Sequence, residues 1–188
     1  YEARALTEAA KRYKVVTQMG NQGSSGDGVR QLKEWYDAGL IGDVHTVWCF
    51  TDRPVWPQGI PWPAESAPVP DGLDWNLWLG TSKKRPYKKG MYHPANWRKL
   101  MDYGCGTLGD MGVHIFDTPY NALKLDVPRT ITTECRPSNG FGFPEHNIVT
   151  YEFPGTQYTA GSLKWIWYDG EGAPRMSEDL ILPGMEMK

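Results

Sequence analysis

Two alternating runs near the end of the chain, NIVTYEFP (147–154) and YTAGSLKWIWYD (158–169), are separated only by GTQ. Strands place successive side chains on opposite faces, so this pattern predicts two strands, and the short spacer makes them an antiparallel hairpin. A hairpin has too little surface to be stable alone. The rest of the chain must therefore supply further strands and a covering layer. DVHTVWCFTDR (43–53) sets Val44, Thr46, Trp48 and Phe50 against Val47 and Cys49 and predicts a third strand. RTITTECRP (129–137) predicts a fourth, the β-branched run KVVTQMG (14–20) a short one, and the tail LILPGMEMK a last one.

Helices are predicted between them. Residues 2–13 carry Ala3, Leu6, Ala10 and Tyr13 on one stripe. Residues 27–38 turn Val29, Leu32, Trp35 and Tyr36 inward, with Ser24, Ser25 or Asp27 as N-cap and Gly39 or Gly42 closing the helix. LDWNLWLG is a short helix with Asp74 at its start, and 106–124 is a longer one. Residues 54–72 are proline-rich and aperiodic, so they form a long loop of the kind that is functional or wraps a neighbour. The expected fold class is α/β (α+β), with a composition shift near residue 42 marking a domain boundary.

Composition narrows the function classes. A net charge of −2 over 188 residues gives no electrostatic case for nucleic acid. No apolar run approaches the roughly 20 residues of a membrane span. Three scattered cysteines form no CxxC or zinc spacing and are expected to be free, buried thiols. Nine Trp and ten Tyr, many in proline-rich loops, either build platforms for sugar rings or wedge the loops onto the core. The chain opens in a charged amphipathic helix with no initiating Met, so a fragment or processed product is expected.

The chemistry concentrates in GCGTLGDMGVHIFDTPYNAL (104–123). On a helix, Asp110 and His114 share one face, with Asp117 a further turn along. Gly104, Gly106, Gly109 and Gly112 weaken that helix by about 1 kcal/mol each, which implies close backbone approach to a neighbour or ligand. An imidazole can take the proton of a substrate hydroxyl near neutral pH, and a carboxylate one turn away can orient it or bind a neighbouring hydroxyl. The same spacing also suits a surface ion pair. A metal site would need a third ligand, and the spacing of His93 and His146 brings neither near.

The order EARALTEAAKRYKVVTQMGNQG, SGDG, GLIGDVHTVWCFTDR, WNLWLGTS, RPY, NWR and GCGTLGDMGVHIFD resembles the Gfo/Idh/MocA oxidoreductases, which include glucose–fructose oxidoreductase and inositol dehydrogenase. The resemblance implies two domains: residues 1–42 as the last part of a Rossmann domain, and 43–188 as a C-terminal domain with a large open, mostly antiparallel sheet, truncated at its end. It implies NAD or NADP as cofactor, a sugar or cyclitol as substrate, and a homo-oligomer formed through the open sheet. His114 would be the acid/base, with Asp110 binding substrate or orienting the imidazole. Trp97, Arg98, Tyr92 and His93 would line the substrate pocket, and Asn21 and Gln22 would lie on the cofactor side. Ser24 stands where relatives often carry His. The family's glycine-rich dinucleotide fingerprint and its Glu-Lys-Pro segment are not in these residues, and no lysine here takes that role. Two other functions fit the same residues: an NAD-dependent, redox-neutral glycosidase of this family, and a non-catalytic sugar-binding or assembly fragment.

Overall fold

A computed structural model describes residues 1–51, 58–59, 65–92 and 94–170. The strand expected in the tail and the substrate contact expected of His93 lie outside the described residues. Four strands form one sheet: β1 (Val44–Phe50), β2 (Thr130–Glu134), β3 (Asn147–Pro154) and β4 (Thr159–Asp169). Their spatial order is β1-β4-β3-β2, with β1 parallel to β4 and the other pairs antiparallel. The hairpin read from the alternating runs is present, with Val149 opposite Trp167 and Tyr151 opposite Trp165.

Cross-strand partners share a face, so Val149, Phe153, Leu163, Trp165, Trp167 and Cys49 point one way and form the main core. The opposite face carries Trp48 (57% exposed) and Phe50 with Ile148, Ile166 and Tyr168. The layer over the core face comes from α4 (Gly106–Ile115) and α5 (Asp117–Ala122). Leu108, Met111, Ile115 and Phe116 pack onto the sheet. The single helix expected over 106–124 is broken at Phe116. Pro119 accounts for the break: it has no N–H for the Ile115 carbonyl, and its ring crowds that carbonyl.

A second core holds the loops. Met91, Tyr92 and Leu100 are buried against Trp75, Trp78, Tyr87, Tyr103 and Phe141. Trp75 stacks on Trp78 at 4.9 Å. These aromatics therefore wedge the loop layer together. The short helix α3 (Trp75–Leu79) that supplies both tryptophans is capped by the Asp74 carboxylate, which accepts from Leu77 N–H at 3.0 Å.

The N-terminal part departs from expectation in three ways. Helices α1 (Glu2–Tyr13) and α2 (Asp27–Asp37) form, but residues 14–20 make no strand. Val15 and Val16 are 57% and 99% exposed, and a β-branched run makes a strand only where a neighbouring strand takes its hydrogen bonds. Helix α2 has Gly26 at its N-cap, which offers no side chain, so none of Ser24, Ser25 and Asp27 caps it, and the Ser24 hydroxyl bonds Asp117 instead. Trp35 turns outward, leaving Val29, Leu32 and Tyr36 as the inner stripe. Gly39 closes α2 at φ 71, with its N–H on the Tyr36 carbonyl. Helix α2 is tied to the sheet domain, since the Tyr158 hydroxyl donates to Asp37 and the Tyr36 and Tyr158 rings meet at 5.9 Å. Among the three cysteines, all free, only Cys49 is buried; Cys105 and Cys135 are exposed because both lie outside the packed elements.

Candidate active site

Helix α4 turns Leu108, Met111 and Ile115 to the sheet, which places Asp110 and His114 on its other side. His114 is exposed, and its imidazole has no hydrogen-bond partner among the described residues. Asp110 is part-buried, and one carboxylate oxygen accepts from Arg98 Nε at 3.0 Å. The expectation that Asp110 orients the imidazole is not met: its hydrogen bond goes to the guanidinium. Its other oxygen has no partner among the described residues and is available to a hydroxyl.

Arg98 comes from a 3-10 turn, η1 (Asn96–Lys99), and its guanidinium lies over the Trp97 ring, 4.6 Å from the centroid. Trp97 Nε1 donates to the Pro94 carbonyl at 3.1 Å. Ring and carboxylate thus hold the guanidinium from two sides. The close approach of η1 to α4 depends on Gly104. A Cβ there would lie 2.4 Å from the Arg98 carbonyl oxygen and 2.6 Å from Arg98 Cα. Gly104 N–H also donates to the Leu100 carbonyl at 2.8 Å, closing the turn into α4.

The Gly-rich turn 20–26 docks at the other end of α4. Asn21 Nδ2 donates to the Val113 carbonyl at 3.1 Å and to Ser24 Oγ at 3.3 Å. The Ser24 hydroxyl donates to Asp117, whose carboxylate also accepts from Asn121 Nδ2 at 2.9 Å. Asn21 Oδ1 is buried without a donor among the described residues. Gln22 is exposed. The structure therefore gathers Asn21, Trp97, Arg98, Asp110 and His114 around one helix.

Tyr92 is a correction. It is 1% exposed, its hydroxyl donates to the Pro86 carbonyl at 3.1 Å, and burial pushes that hydroxyl up to about 12. A residue packed among Trp75, Trp78 and Tyr103 has no face left for a sugar, so it belongs to the second core.

Gly104, read in the sequence as a close-approach glycine, meets η1, and Ser24 bonds the α4–α5 junction; Gln58 is the contributor that had no signal in the sequence. Gln58 is 4% exposed and meets the first turn of α4. No periodicity reaches into that loop, and only its glutamine–glycine pair between prolines hints at a turn. A cleft of about 440 Å³ opens beside it, between Cys105–Gly109, Phe143 and the Thr133–Cys135 end of β2. Among the described residues no three His, Cys, Asp or Glu side chains converge as metal ligands, and no helix is long and apolar enough to cross a membrane.

No curated protein matches the chain. A family model, that of the oxidoreductase family's C-terminal alpha/beta domain, matches residues 28–142, more than half of the chain. The match takes in α2, β1, the aromatic loop layer and α4 with its Asp110–His114 face. On this match, and on the mostly antiparallel open sheet beneath α4, the chain belongs to the Gfo/Idh/MocA family of oxidoreductases.

Proposed function

We propose that this chain forms the substrate side of an NAD- or NADP-dependent oxidoreductase that removes hydride from a CH–OH group of a sugar or cyclitol. One observation carries the reading: an exposed, unpartnered imidazole stands one helical turn from a carboxylate anchored by an arginine. His114 takes the hydroxyl proton, and Asp110, held by Arg98, accepts from a neighbouring hydroxyl. A second acceptor one turn away suits a polyol better than a simple alcohol. Trp97 offers the same pocket an apolar surface.

Residues 1–42 are assigned to the end of the dinucleotide-binding domain and 43–188 to the substrate domain, with the C-terminal-domain match reaching back over 28–42, where α2 packs on the sheet domain. Asn21 and Gln22 are assigned to the cofactor side, where the exposed Gln22 carboxamide fits a nicotinamide amide, which presents both a donor and an acceptor. The bound nicotinamide ring would supply the hydride acceptor. Asn21 itself is fixed by Val113, so the turn it belongs to keeps its place beside His114. The open sheet face with Trp48 and Phe50 is assigned to contact with a second copy.

The test is absorbance at the reduced-nicotinamide band when the full-length protein meets NAD⁺ or NADP⁺ and a panel of sugars and cyclitols. Accumulating reduced cofactor is the expected result. Glycoside cleavage with no net reduction would replace the reading by a redox-neutral glycosidase, and neither activity would leave a binding or assembly role.

A further inference from the structure

Among the described residues of the proline-rich segment, Gln58 reaches the start of α4. Gln58 Oε1 accepts from the Thr107 backbone N–H at 2.9 Å and from Thr107 Oγ1 at 3.2 Å. Gln58 Nε2 donates to the Pro144 carbonyl at 2.8 Å, and the next residue, Gly59, donates its N–H to the Phe143 carbonyl at 3.0 Å. A helix start leaves N–H groups without intrahelical acceptors, and the residue before a helix usually supplies one. Here Cys105 occupies that position and makes no side-chain cap bond. The acceptor comes instead from 49 residues upstream. The backbone is shaped to admit it: Gly106 has φ +67, and a Cβ there would lie 2.9 Å from Phe143 and 3.2 Å from Gln58 Oε1. Any larger residue at 106 would be strained and would push the cap away.

We infer that Gln58 is a positioning residue for the His114 site, an inference that rests on the proposed acid/base role of His114. Gln58 ties the first turn of α4 to the segment leading into β3. Asp110 lies one turn beyond the capped Thr107, and His114 two turns. Fixed at its start by Gln58 and near its end by the Asn21 bond to Val113, the helix neither slides nor pivots on the sheet, so both groups keep their station relative to η1 and to the 20–26 turn. Gln58 thereby acts on the chemistry through Thr107 and the helix that follows it.

Gln58→Leu and Gln58→Glu in the full-length protein test this. Leucine removes both bonds. Glutamate keeps an acceptor for Thr107 N–H; ionised, its charge suits a helix N-terminus but sets an oxygen against the Pro144 carbonyl, and protonated, it donates to that carbonyl as the amide does. Three readouts are taken: hydrogen exchange of the 105–115 amides, the His114 imidazole NMR resonance, and kcat with KM. For Gln58→Leu we expect about tenfold faster exchange in the first turn of α4, a shifted His114 resonance, and kcat lower by about tenfold with KM for the cofactor held. For Gln58→Glu we expect first-turn protection and kcat within about threefold of the parent.

An unchanged His114 resonance and kcat in Gln58→Leu would overturn the inference, as would loss of both protection and kcat in Gln58→Glu. If Gln58→Leu fails to fold, the Gln58→Glu result decides alone. If the parent protein turns over no hydroxyl substrate, the functional reading has failed. The His114 resonance then still decides whether Gln58 sets the helix.

Discussion

In a Gly104→Ala variant the new Cβ would sit 2.4 Å from the Arg98 carbonyl oxygen, 2.6 Å from Arg98 Cα and 2.7 Å from its carbonyl carbon. All three are backbone atoms, so no side-chain rotation relieves the clash. Ordinary contact begins near 3.4 Å, and η1 must therefore move about 1 Å from the start of α4. Crowding of this kind costs about 1–3 kcal/mol. Gly104 is not among the positive-φ glycines, so alanine also gains about 0.4–1 kcal/mol through the unfolded chain. The net expectation is a loss of about 1–2 kcal/mol, read as a lower urea midpoint at constant slope. The same 1 Å carries Arg98 with it and stretches the 3.0 Å bond to Asp110 beyond hydrogen-bond range. A misplacement of that size costs up to about 10²-fold in rate. Gly28→Ala is the control, because it sits in α2 with open space around its Cβ and should be neutral or stabilising by up to about 1 kcal/mol. A Gly104→Ala protein with parental midpoint and parental kcat would refute the close-approach account of this turn.

Two further outcomes follow from burial. Cys105 and Cys135 are exposed and Cys49 is buried with its thiol pushed up to about 12, so a thiol reagent should modify two groups quickly and the third only on unfolding; three fast groups would contradict the core assignment of Cys49. Burial also pushes the Tyr92 hydroxyl up to about 12. Both groups hold their protons more tightly folded than unfolded, so their contribution is complete below the ordinary thiol and phenol values and is lost as pH rises from about 9 towards 12. The urea midpoint should fall across that window, and a flat midpoint would contradict it.

What could be read from the sequence was what periodicity encodes. The runs at 44–50, 147–154 and 159–169 alternate because one face meets α4 and the other does not, and the sheet followed from them. Residues 14–20 have strand composition but no partner, and composition cannot report a missing neighbour. Pro119 was visible within the expected 106–124 helix and breaks it, a local signal outweighed by the apolar period around it. The family resemblance implied a pocket role for Tyr92, and only packing against Trp75 and Trp78 places it in a core. The Asp110–His114 face was legible from spacing alone. The Arg98–Asp110 bond and the Gln58 cap were not, since each joins an irregular segment to the helix and no repeat sets their registers.

His114 is the group proposed to handle the substrate proton. Turnover of the full-length His114→Ala protein tests it most directly, with a thermal unfolding curve recorded alongside. Because His114 is exposed and has no hydrogen-bond partner among the described residues, its removal should leave the unfolding curve in place. The expected kcat is lower by about 10²-fold or more, the usual scale of general acid–base catalysis. Near-parental kcat with an unchanged unfolding curve would contradict it.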